Sequence, residues 1–180
     1  MSWEQLPDFP LYMDQVLSYM ERQVLRFDGE DRLTAAMVNN YTKSGLLPRA
    51  EGKKYSREHL AYLTAICILK RVMSARDMEV VLSAQLAQRQ DVGQGYDQFR
   101  DSLDKALNLI TEMMEGYGEP EDTADAAIHF ALLAYAAEVA SSRYVALVRR
   151  QGLEKEEKKP PARANRKERR RQEKGESSDA

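Results

Sequence analysis

The chain is poor in the residues that staple folds or hold metals. Its 180 residues include one cysteine, Cys67, and two histidines, His59 and His129. A single cysteine excludes an internal disulfide and suits a reducing compartment. The two histidines are too far apart in sequence, and too poor in companions, for zinc-ligand spacing. His59 falls in the first turn after Ser56. His129 reads as a core histidine and Cys67 as small core filler. No phosphate-cradling glycine loop, serine elbow or HExxH pattern is present. Carboxylate pairs such as Glu112 and Glu115 read as a solvated acidic end. A non-enzymatic protein without a cofactor is therefore expected. The opening, MSWEQLPDFP, has neither a basic start nor an apolar h-region, so a cytoplasmic location is expected. The most apolar stretch, Ala126 to Ala140, is short for a bilayer and contains His129 and Glu138, so a buried helix is expected there. Strand-like alternation is scarce, with only a few candidate residues between Pro48 and Tyr55.

Charge of one sign is unevenly placed. The net charge is −2. Residues 1–157 carry −7, while Lys158 to Lys174 carries +7. Within the acidic body, Thr34 to Arg76 has eight Lys/Arg against two Glu. One basic patch on an acidic body points to a polyanionic partner for that patch alone. Lys70, Arg71 and Arg76 read as a solvated face. The basic tail reads equally well as a non-specific nucleic-acid arm, a solubilising end or a segment that binds the acidic body.

Helical periodicity dominates up to about residue 155. Leu11 to Arg26 is the first amphipathic segment, ended by Phe27-Asp28-Gly29. Three later starts share one syntax: Leu33-Thr34 before Val38, Tyr55-Ser56 before Leu60, Met73-Ser74 before Met78. In each, a hydroxyl supplies the cap, and an apolar residue before it can staple to the fourth helical position. Asp77 adds a carboxylate three residues after Ser74. Further helices are expected to about Arg89, from Tyr96 to about Met114 after a break at Gly93 and Gly95, and from about Asp122 to Arg150. This gives an all-α fold in three parts: 1–90 as a helix-turn-helix unit, 91–153 as a small helical bundle, and 154–180 as a disordered basic tail.

With Thr34 as N-cap and Gly45 just past the end, a 100° step divides the helix between them. Met37, Val38 and Tyr41 share the core side. Ala36, Asn39, Asn40 and Lys43 share the other, which has no carboxylate. Gly45 can turn left-handed, Leu46 can pack back near Tyr41, and Pro48 prevents continuation. A basic loop with Arg49, Lys53 and Lys54 follows. Asparagine can pair with an adenine edge, and lysines bring salt-sensitive phosphate affinity.

VNNYTKSGLLPRAEGKKYSREHLAYL resembles the N-terminal winged helix-turn-helix of MerR-type transcription regulators. The shared elements are a helix ending near a Tyr, Gly-Leu-Leu, a basic wing, Tyr-Ser, then a helix. MSARDMEVVL resembles the element that follows there. Over about residues 5 to 115, the chain more closely resembles a bacterial domain-of-unknown-function family, number eighteen-thirty-six, with the same Met-Val-Asn-Asn-Tyr core. Asn39 stands where the MerR pattern has arginine, and Asn40 where it has an aromatic. The MerR resemblance implies a homodimeric regulator that binds double-stranded DNA, with an effector that the sequence does not identify. On that reading the DNA contacts are Ala36, Asn39, Asn40, Lys43, Arg49, Lys53 and Lys54. The alternative is a protein-interaction or assembly module that keeps the fold without reading DNA.

Overall fold

The computed structural model describes residues 1–23, 32–88, 91–117 and 123–157. The expected stop at Phe27–Gly29 and the basic tail lie outside the described residues. The six α-helices are α1 (Met13–Gln23), α2 (Ala35–Lys43), α3 (Arg57–Leu69), α4 (Ala75–Gln88), α5 (Val92–Glu115) and α6 (Thr123–Glu157), after a 3₁₀ turn at Trp3–Gln5. Among the described residues no multi-residue strand forms, so the class is all-α.

The three shared helix starts govern the core. Thr34 Oγ1 accepts from the Met37 N–H at 3.2 Å. Ser74 Oγ accepts from the Asp77 N–H at 3.1 Å and donates to the Asp77 carboxylate at 2.6 Å. At α3 the reciprocal partner is an imidazole: the Ser56 N–H donates to His59 Nδ1 at 3.0 Å. The staple residues meet as their spacing requires. Leu33 with Val38, and Tyr55 with Leu60, join one buried cluster with Val16 and Met20 of α1. Met73 and Met78 join a second with Leu46, Ile66 and Leu82. Cys67 is buried in the first cluster.

Leu11 departs from the expected helix. It lies in extended backbone after Pro10 and forms an antiparallel bridge with Tyr55. The two residues exchange N–H···O bonds at 2.8 and 2.9 Å. Helix α1 begins two residues later, where Gln15 Oε1 accepts from the Tyr12 N–H.

Gly93 and Gly95 do not break the chain. They lie in the first turn of α5, capped by Asp91, whose carboxylate accepts from the Gly93 N–H at 2.8 Å. The cause is packing. A Cβ on Gly93 would stand 2.9 Å from the Trp3 indole nitrogen. The 3₁₀ turn docks there, with the Trp3 N–H donating to Asp97 at 2.9 Å. Leu6, Ala61 and Tyr96 close this third cluster.

Helix α6 departs most from expectation. The Ala126–Ala140 stretch belongs to a 35-residue helix and is almost wholly exposed. Its C-terminal half is seated on the body, where Val145 is buried and Arg149 pairs with Asp77 of α4, and farther up Ala131, Ala134, Tyr135 and Glu138 line an open cleft with Lys70 to Ser74. His129 is half-buried against the rings of Tyr117 and Phe130, not in a core. The C-terminal part is thus an arm of α5 and α6. By length and composition alone, Thr123–Glu154 is long and apolar enough to cross a membrane.

Candidate nucleic-acid interface

Helix α2 is short, and its two faces separate as the 100° count requires. Val38 is fully buried, and Met37 and Tyr41 are partly buried against the first cluster. Ala36, Asn39, Asn40 and Lys43 are all exposed. Thr34 fixes the start. Gly45, with φ of +83°, fixes the end, and the Leu47 N–H returns to the Tyr41 carbonyl at 3.0 Å. Leu46 and Leu47 are then both buried, which locks α2 to α4 and α1. The outward face carries two amides and an ammonium on a rigid support. Glu79 of α4 borders the Gly45 end of this face.

The basic loop closes on a tight hairpin turn. Glu51 and Lys54 pair as an antiparallel bridge, with the Lys54 N–H on the Glu51 carbonyl at 2.9 Å. Between them Gly52 and Lys53 have φ of +56° and +65°. Positive φ at both central positions is the hairpin turn whose twist suits short paired strands. Lys53 sits at its tip in a left-handed conformation that is costly for a side chain other than glycine. Lys54 lies over the Tyr12 ring, 5.5 Å from its centroid. Tyr55 closes the loop through its bridge to Leu11.

All seven expected contact residues are exposed. Four share the α2 face and three share the loop that leaves its C-terminal end. Among the described residues, Lys43, Arg49 and Lys53 enter no ion pair. Arg57, also in the basic stretch, is engaged elsewhere: it meets Glu4 at 3.5 Å and lies over the Trp3 ring. Two supports were missed in the sequence reading. The turn needed by Lys53 is hinted at by Gly52, but the Tyr12 platform comes from a distant segment with no local signal.

A second feature lies away from this face. A cleft of about 350 Å³ opens between α1, α3 and α5. Cys67, Ile68 and Phe99 line it, with the Tyr19 and Tyr96 side chains beside Arg100. Burial pushes both phenols above their ordinary range, so they stay neutral donors. Tyr19 donates to the Met1 sulfur at 3.0 Å and Tyr96 to the Met1 carbonyl at 3.3 Å. The N-terminal residue therefore occupies part of the rim.

No curated protein and no solved structure matches the chain. The family model described as a domain of unknown function (DUF1836) matches residues 1–101, which include the α2 face, the loop and the docked 3₁₀ turn. The chain belongs to that family.

Proposed function

We propose that the chain is a DNA-binding transcription regulator of MerR-like design. It places the outward face of α2 in the major groove and the loop cations on phosphates. One observation carries the reading: a capped, core-anchored helix turns Asn39, Asn40 and Lys43 outward, and leads directly into a hairpin whose tip is Lys53. The asparagines supply base-edge donors and acceptors. Arg49, Lys53 and Lys54 supply sequence-independent affinity. The reaction chemistry is none: this is a binding protein, which acts as a dimer so that two faces meet two half-sites.

The variants separate these jobs. Lys53→Ala is expected to weaken binding to all duplexes and to lower the salt slope by about one. Asn39→Ala or Asn40→Ala is expected to relax base preference, costing about 1–3 kcal/mol at the preferred base pair. Fluorescence anisotropy across a salt series reads both. An unchanged slope after Lys43, Arg49 and Lys53 are all replaced by alanine removes the reading.

An assembly module without DNA reading is favoured by a different observation, the apolar surface of α5 and α6. Recovery of the chain with a stoichiometric protein partner, and with no duplex bound at low salt, would select it.

A further inference from the structure

Helix α6 carries a heptad stripe beside the face that meets the body, and it touches the body at Tyr135, near the α3–α4 connection, and at Arg149, which pairs with Asp77. Ile128, Leu132, Tyr135, Val139, Ser142, Ala146, Arg149 and Leu153 follow steps of four and three. Of the half-buried and buried residues, Phe130, which meets Tyr117, and Ser141 and Val148 lie well round the helix from this stripe, while Val145 lies on its flank. The apolar half of the heptad lies open. Ile128, Leu132, Tyr135 and Val139 are between 53% and 66% exposed. A 4-3 repeat of large apolar residues is the signature of a coiled-coil seam. A helix whose apolar surface extends beyond its seated face needs a second cover.

We propose that a second copy of this chain covers the seam, with the two α6 helices parallel and in register. Four large side chains, each more than half exposed, are of the kind that supplies the apolar core of the ~800 Å² per partner in a standard interface. The charges fix the direction. Glu138 and Arg143 flank the seam on opposite sides, five residues apart. Both are exposed and, among the described residues, enter no ion pair, with Glu138 at the edge of the cleft it shares with Lys70 and Arg71. Five residues is the offset at which flanking positions meet across a parallel pair. Glu138 of each copy therefore meets Arg143 of the other, twice per dimer. An antiparallel pairing that overlaps the same four side chains sets Glu138 beside Ala131 and gives it no cation. Ser142 and Ala146 keep the seam narrow at its C-terminal end, where α4 crowds the helix. A lipid cover is opposed by the same two charges, since an arginine at mid-span alone costs about 3 kcal/mol. The inference rests on α6 alone and stands whether or not α2 reads DNA.

Cysteine placement on the full chain tests it. Ile128→Cys and Ser142→Cys each add one exposed thiol, and the native Cys67 is buried. Parallel, in-register helices bring like seam positions within disulfide reach. We expect each variant to form a covalent homodimer under mild oxidation, and the reduced protein to sediment at twice 20.6 kDa. Ser142→Cys barely changes volume, so failure to fold is not at issue there. Glu138→Arg should weaken the dimer about fivefold, and adding Arg143→Glu should restore it. A monomer at tens of micromolar, or recovery only with detergent, overturns the proposal. So does crosslinking only between the two variants mixed, which marks an antiparallel pair.

Discussion

Gly93 and His59 show how single side chains decide the body's packing. A methyl group on Gly93 would gain about 1 kcal/mol of helix propensity. It would also press within 2.9 Å of the Trp3 indole, a collision that costs about 1–3 kcal/mol. We expect Gly93→Ala to destabilise by about 1 kcal/mol in urea unfolding. Trp3 is the sole tryptophan, so its emission should shift to the red as the 3₁₀ turn lifts. Equal stability with unchanged emission would contradict this packing. His59 is buried and caps α3 through Nδ1. His59→Ala should cost about 2 kcal/mol, combining the lost cap with a small cavity. Ser56→Ala should cost less, because it leaves the core filled. The N-cap hydroxyls, the staples and the split of α2 were legible, because each depends on residues within four of one another. Gly93 was not. Its reason lies at Trp3, ninety positions away, and locally a glycine pair reads as a break.

Among the elements, α2 and its hairpin depend on two residues with positive φ. Gly45 tolerates +83° without a side chain, so Gly45→Ala should destabilise by about 1 kcal/mol or more. Lys53 adopts +65° at a cost. Lys53→Gly should relieve that strain and offset the entropy glycine adds to the unfolded chain. We therefore expect Lys53→Gly to leave stability unchanged or slightly raised, while weakening DNA as much as Lys53→Ala does. Thermal unfolding beside anisotropy separates the two effects. A clear loss of stability in Lys53→Gly would mean that the side chain holds the loop. The hairpin was only partly legible, since its bridge partner Leu11 belongs to a segment that reads as helix. That α6 is a long helix was legible, but its exposure was not, and the start expected near Asp122 lies outside the described residues. An alanine-rich apolar run predicts burial, and the sequence does not say how much of the fold remains to bury it. The 4-3 seam was nonetheless present in the order of residues.

In the whole molecule, opposing charge shapes any approach to DNA. The body of residues 1–157 carries −7. Among the described residues, α2 and the loop that follows bring together three cations that enter no ion pair, Lys43, Arg49 and Lys53. Bulk repulsion then opposes approach in general, and an orientation that presents Lys43, Arg49 and Lys53 is the one the proposed reading requires. A parallel α6 pair would give such a molecule two identical faces related by one axis, and the spacing of its half-sites would follow from that axis. If the basic tail serves as a nucleic-acid arm, it would add non-specific attraction that masks or mimics the contribution of the face. The most direct measurement is therefore selection of bound duplexes from a random pool by the chain lacking residues 158–180, repeated with Asn40→Ala. The account predicts an enriched motif, built of two half-sites, that loses definition in Asn40→Ala. Failure of the truncated chain to retain any duplex at low salt would contradict it.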